Sequence, residues 1–364
     1  MRSRTVASRS RHGGPAPIAT GAGVVRFVIV GAGAIGGLIG MRLHQSGHDV
    51  VLVARGASYE RIKSHGLTLA TPVERLTMRV PVVPTPGQAQ LTADDVILLC
   101  TKSQHSAEAL LSIRDAVPDM AHESVSVVCV QNGVANERTS LRLFRQTYGA
   151  VVLVPAEHLK PGYVVSYAGG VAGILDIGAY PRGAGMLSAP IASALSQAGF
   201  DSSVRDDIMV HKYAKLIGNL GNGVQVICGF DDLEGNRKLA DLAAQEGRAV
   251  LTAAGIAHDA SQIVDTGAAW EQLRIGEVDG HRHRGGSSWQ SVTRRTGDVE
   301  TDYLNGEIVL VGRTLGIPTP YNTAIQKLAR ATVRDGRPPG WCTASQVIAE
   351  VTTHRLPGFA RRRD

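Results

Sequence analysis

Short runs rich in Val, Ile and Leu punctuate the first half of the chain: RFVIV (26–30), DVVLVA (49–54), DVILLCT (95–101), SVSVVCV (124–130), AVVLV (150–154) and YVVSY (163–167). Near-continuous apolar runs of this length predict strands buried on both faces. Between several of them the apolar positions take helical spacing, as in Leu38 to Gln45 and Ala107 to Ala116. Such alternation of strand and helix predicts a parallel sheet covered on both sides. From about Ser203 the β-like runs stop, and Met209, Tyr213, Leu216, Ile217, Leu220 and Val224 recur at spacings of three and four. That period predicts a long amphipathic helix at the head of a second, mainly helical domain.

The stretch Val24 to Leu43 is ambiguous when taken alone. Its length, its apolarity and the pairs Gly33/Gly37 and Gly36/Gly40 would also suit a membrane helix that packs through small residues. Its surroundings favour another reading, because a strand at 26–30, a turn at Gly31 and a helix from about Ala34 begin the strand-and-helix series. Gly31-Ala32-Gly33-Ala34-Ile35-Gly36 then matches GxGxxG between a strand and a helix. The first glycine makes the tight turn, the second lets the backbone approach a pyrophosphate, and the third lets helix and strand pack closely. The next strand runs into Arg55 with no acid before Glu60. An acid there would hold the ribose of NAD, whereas a guanidinium suits a 2′-phosphate, so the predicted cofactor is NADPH. Lys102 and Asn132 follow the third and fourth apolar runs, on the sheet edge where ligands of parallel sheets sit.

Length and charge narrow the remaining classes. At 364 residues and 43% hydrophobic content, two folded domains are expected. The net charge of +6 is accounted for by the ends: Arg2, Arg4, Arg9 and Arg11 at one, and Arg355, Arg361, Arg362 and Arg363 at the other, opposed there by Asp364. A near-neutral body with 4% aromatic residues argues against a nucleic-acid groove. Cys100, Cys129, Cys228 and Cys342 have neither metal-ligand spacing nor a compact framework, so reduced thiols in the cytoplasm and no metal are expected. Residues 1–24 and 351–364 are basic tails. The first is rich in Arg, Ser, Gly and Pro, which predicts a disordered extension or an early start codon, with a secretory or organelle leader as the rival reading.

Two clusters in the second half carry chemistry. One stripe of the helix after Ser203 presents Lys212, Lys215, Asn219 and Asn222, while Gly218 and Gly221 weaken its interior. The glycines predict close approach of another backbone or a ligand, against a plain solvated face. In GGSSWQSVTRRTGDVETDYLNG, Ser287 and Ser288 open a short helix, Gly297-Asp298 breaks it, and Glu300 falls at the junction with the next. A carboxylate there either belongs to a site or stabilises a helix N-terminus.

Taken together, VGAGAIGG, Thr101-Lys102, QNGV (131–134), KLIGN (215–219), SSWQSVTRRTGDVETDYLNG (287–306) and GIPTPYN resemble the ketopantoate reductase family over about 26–328. The resemblance implies a Rossmann-type NADP-binding domain over 25–203 and an all-helical substrate domain over 204–350, the latter of the 6-phosphogluconate dehydrogenase C-terminal-like type. It implies NADPH-dependent reduction of a small 2-oxo acid, foremost 2-dehydropantoate to pantoate. The alternatives are another 2-oxo acid on the same fold and an inactive NADP-binding regulator. By the same resemblance Lys215 is the general acid and Asn219 and Ser288 hold substrate. Asn132 touches cofactor and substrate, and Glu300 lies between the cofactor ribose and the lysine. Arg55 and Lys102 meet the phosphate and ribose, and Ala156 offers its backbone. No nucleic-acid or membrane partner is expected, and a homodimer is left open. The chain departs from the family pattern at Tyr213 (for Trp), Val292 (for Asp) and Gly223 (for Asn, with Asn222 one place off), and has no match near Leu233 for a substrate-gripping asparagine. Asp279 to Gly286, with His281, Arg282, His283 and Arg284, reads as an inserted, solvated loop; the rivals are cationic donors for a carboxylate-rich substrate and a metal held by the two histidines.

Overall fold

The computed structural model describes residues 19–20, 23–259, 267–294 and 299–353. The two basic tails lie almost wholly outside the described residues, as does the Gly297-Asp298 break. A two-residue ladder, Ala19–Thr20 (β1) with Gly23–Val24 (β2), precedes the body.

The first unit is built on a seven-stranded sheet. Its strands are Arg26–Val30 (β3), Asp49–Val53 (β4), Val82–Val83 (β7), Asp95–Leu99 (β8), Ser126–Cys129 (β9), Gln146–Leu153 (β10) and Ile174–Ala179 (β13). The spatial order is β13-β10-β9-β8-β3-β4-β7. All pairings are parallel except the edge pair of β10 with β13. The chain leaves β3 toward β4 on one side and later returns to β8 on the other, so a crevice opens beyond the carboxyl ends of these strands. Arg26 locks this register with a two-pronged contact to Asp95 across the strand pair, at 2.8 and 2.6 Å.

YVVSY forms a strand but does not join the parallel sheet. Tyr163–Ser166 (β12) sits in a second sheet of order β11-β12-β5-β6, with Ala156–Lys160 (β11), Leu67–Ala70 (β5) and Arg75–Met78 (β6). The helix Ala34–Gln45 (α1) lies between the two sheets and covers the Val164 face of β12, while Val278 packs with Val165 on the other, which is why β12 is apolar on both faces. Glycines make this sandwich possible. A Cβ on Gly36 would collide with the Gly31 carbonyl oxygen and stand 2.8 Å from the Cβ of Cys100. On Gly40 it would lie 2.5 Å from Leu52, and on Gly37, 2.8 Å from Val164. The small-residue spacing that mimics a membrane dimer is thus a two-sided packing seam, and among the described residues no helix is long and apolar enough to cross a membrane.

Four further helices cover the first unit: Gly56–His65 (α2), Ser103–Ala116 (α3), Asn136–Leu141 (α4) and Ser188–Gln197 (α5). The second unit is helical: Ile208–Asn219 (α6), Asn222–Cys228 (α7), Leu233–Ala253 (α8), Gly267–Leu273 (α9), Ser287–Thr293 (α10), a 3-10 turn at Glu300–Tyr303, Asn305–Leu315 (α11), Pro320–Arg334 (α12) and Ala344–Thr352 (α13). Leu216, Leu220, Val224, Leu239, Ile308 and Ile325 form its core. The predicted long helix is two, divided at Leu220-Gly221. The glycine reading is half right. A Cβ on Gly221 would lie 3.3 Å from Ala240 of α8, but one on Gly218 would meet nothing. The unit is also not contiguous. Ala269 and Leu273 of α9 pack on Leu153, Ala168 and Ile174 of the first unit, and Ile275 bridges Ala168.

Candidate active site

A cavity of about 920 Å³ lies between the units, lined by the glycine turn, the ends of β4, β8, β9 and β10, and one face of α6 and α7. Its size suits a dinucleotide together with a small substrate. Gly31 adopts φ +107°, a left-handed value that an L side chain rarely takes. A Cβ on Gly33 would meet nothing, so the backbone there is open to a close ligand. Gly31, Ala32, Gly33, Ala34 and Ile35 line the cavity; Gly36 does not, and serves packing instead. No side chain caps the first turn of α1, which leaves its N–H groups for an anion. These residues fit a bound dinucleotide.

The remaining predicted residues largely converge on the same cavity. Arg55 lines it at the start of α2, and its guanidinium pairs with Glu108 at 2.9 Å, both side chains mostly exposed. Lys102, before α3, donates to Ser291 Oγ at 2.8 Å. Ala156 opens β11 on the cavity wall. Lys215 is 8% exposed; its ammonium reaches across from α6 to donate to Asn132 Oδ1 at 3.1 Å and to the Val152 carbonyl. Asn219, one turn on, also lines the cavity, and its Nδ2 is buried without a hydrogen-bond partner. A ligand acceptor would satisfy it.

Two residues stand differently from the prediction. Ser288 is buried behind the wall with its hydroxyl unpaired, while Ser287 and Ser291 line the cavity. Glu300 lines the cavity, but its Oε1 accepts from the N–H and hydroxyl of Ser103, both at 3.0 Å. Ser103 opens α3, so this carboxylate meets a helix N-terminus belonging to the other unit. Asn222 lines the cavity, and Gly223 packs against Ile325 of α12.

Residues without a role in the sequence reading complete the walls. Gln131 bridges the ends of β8 and β9, donating to the carbonyls of Leu99 and Thr101. Arg294 lines the cavity and pairs with Glu157 at 3.2 Å. Burial pushes the Glu157 carboxyl up against the opposing effect of Arg294, and burial with the Arg294 charge pushes His158 down. The segment Asp279 to Gly286 is not simply a solvated loop. His283 lines the cavity and Arg284 stacks on Phe230 and Trp289. The run of alternating His and Arg signals candidate donors but not which of them turns to the cavity.

The family profiles described as "Ketopantoate reductase PanE/ApbA" and its C-terminal counterpart match residues 27–182 and 207–333. The chain belongs to the ketopantoate reductase family. It is 29% identical over 315 residues to a 2-dehydropantoate 2-reductase of Pyrococcus horikoshii, covering 84% of this chain and 97% of that one. A counterpart in Archaeoglobus fulgidus is 28% identical over 314 residues, with the same coverage. Among solved structures, a PanE/ApbA family ketopantoate reductase from Ralstonia eutropha superposes with TM-score 0.71 at 28% identity, over 85% of this chain and 99% of that one. A D-mandelate dehydrogenase solved with NADH and anilino(oxo)acetate shares the fold, with TM-score 0.70 at 24% identity and the same coverage. The fold and family of this ketopantoate reductase relative are those of NAD(P)-dependent reductases.

Proposed function

We propose that this chain reduces a small 2-oxo acid to the 2-hydroxy acid with NADPH, and that 2-dehydropantoate, reduced to pantoate, is the substrate its kinship favours. The observation that carries the reading is Lys215: a buried ammonium in a cleft wall, held by Asn132 Oδ1 and the Val152 carbonyl. A dinucleotide held there would supply a hydride to the substrate's carbonyl carbon. Negative charge then builds on the carbonyl oxygen, and Lys215 donates a proton to it. Asn132, having given its oxygen to Lys215, keeps an NH2 group for the ligand. Asn219 offers its unpaired NH2 to the substrate.

On the cofactor side the glycine turn and the N-terminus of α1 hold the pyrophosphate. Arg55, whose partner Glu108 is itself exposed, exchanges that carboxylate for the 2′-phosphate. Lys102 and Glu300 serve the ribose, and Ala156 contributes its backbone. The serine contact to substrate passes from Ser288 to Ser287, which faces the cavity. The test is NADPH oxidation with a panel of 2-oxo acids, followed by absorbance. Turnover of 2-dehydropantoate supports the reading, and no turnover of any 2-oxo acid by a protein that binds NADPH refutes it.

A further inference from the structure

Past Lys215 the cleft wall changes character. Along α6 and α7 it is lined by Lys215, Asn219, Asn222 and Gln225, and Phe230, Trp270 and His283 line the same cavity. The His283 ring stands edge-on to Tyr167 with centroids 5.4 Å apart and lies 6.1 Å from Trp270. Phe230 meets Trp289 edge-on at 5.2 Å. In a chain so poor in aromatic residues, these rings on the wall of one cavity are a specific feature.

The rings are held in place. Trp270 rides on α9, which is pinned to the first unit where Gly169 N–H donates to the Leu273 carbonyl at 3.0 Å. Gly285 adopts φ +67°, and a Cβ there would lie 2.7 Å from the Trp289 ring, so the chain lies flat on that indole. Gly286 N–H then donates to Gln225 Oε1 at 2.7 Å, closing the segment onto α7. The segment's charge is turned aside: the Arg284 guanidinium sits 5.0 Å over Phe230 and 5.8 Å over Trp289. Burial pushes His283 below its usual range, so its ring is neutral near pH 7.

We propose that the wall around Trp270 and His283 is a subsite for an aromatic side chain, and that the enzyme reduces aryl-bearing 2-oxo acids, with the ring against Trp270 and His283. The proposal rests on the reductase reading above and names a substrate class for that site. The reaction balances as before: the dihydronicotinamide gives a hydride to the keto carbon, Lys215 gives a proton to its oxygen, and oxidised dinucleotide and a 2-hydroxy acid leave. Offset and edge-on ring contacts favour an aromatic over a saturated ring of equal size.

The test compares phenylpyruvate with 3-cyclohexylpyruvate, which share the reactive carbonyl and differ in the ring face. The full chain is expected to show kcat/KM about tenfold higher for phenylpyruvate. Trp270→Leu, which keeps apolar bulk, and Trp270→Ala are each expected to shrink that ratio severalfold, with a melting curve confirming that each is folded. Equal kcat/KM for the two substrates, or a ratio unmoved in both variants, overturns the subsite while 2-dehydropantoate turnover leaves the reductase reading standing. No NADPH oxidation with any of the three acids by NADPH-binding protein overturns both.

Discussion

Lys212 and Glu137 form an ion pair at 2.7 Å whose side chains are 3% and 1% exposed. The Lys212 ammonium also donates to the carbonyls of Gln131 at 2.8 Å and Ala150 at 3.0 Å. Three anchors thus tie α6 to α4, to the loop after β9 and to β10. Lys215 reaches the same loop and strand one turn later on the helix, through Asn132 and Val152. The pair sets the seating of the helix that carries the proposed acid.

Lys212→Met leaves Glu137 buried without its cation, which costs about 3–5 kcal/mol. Urea denaturation is expected to show that loss, and Glu137→Leu in the Lys212→Met background to recover much of it. A single variant as stable as the parent would mean that the pair does not hold the units together.

Lys215→Ala removes the proton donor and leaves the glycine turn intact. Turnover is expected to fall by about 10²–10⁴-fold. NADPH affinity, read from fluorescence quenching, should change little; a matching loss of binding would make the lysine structural.

Arg55→Ala separates cofactor choice from folding. Its pair with Glu108 is exposed, so stability should shift by no more than about 1 kcal/mol. The ratio of kcat/KM for NADPH over NADH is expected to drop about tenfold or more, and an unchanged ratio contradicts the phosphate role.

Gly33 and Gly36, three positions apart in GxGxxG, predict opposite outcomes. Gly33→Ala places its methyl in open space, so the fold survives while NADPH affinity falls. Gly36→Ala drives a methyl into the Gly31 carbonyl and Cys100, which costs on the order of 1–3 kcal/mol in the thermal or urea midpoint. Equal effects of the two changes on stability would refute this division of labour.

Acid should weaken the fold through His158 and His283, both held below the usual 6.5 by burial, with Arg294 adding to the effect at His158. Between the folded and unfolded values the unfolded chain binds protons that the fold does not. Their contribution is therefore fully present above about pH 6.5 and is lost as pH falls from there toward the folded values. The denaturation midpoint should decline over that window, and His283→Phe should flatten the slope; a flat profile in the parent would contradict the burial.

Local pattern alone determined much of this protein. The apolar runs from 26 to 154, the glycine turn with its helix, and the stripe of Lys215, Asn219 and Asn222 are legible because strand and helix periods and turn chemistry are properties of neighbouring residues. What those patterns left undetermined are contacts between residues far apart in the chain. Apolarity marks Tyr163–Ser166 as buried but does not say in which sheet, since a strand covered on both faces looks the same in either. Glu300 meets Ser103 across 197 positions, and Lys212 finds Glu137 where α6 packs on the first unit. The return of α9 onto the first unit, which brings Trp270 and His283 to the cavity, was likewise decided by tertiary packing: partner choice there depends on which surfaces the rest of the fold leaves uncovered.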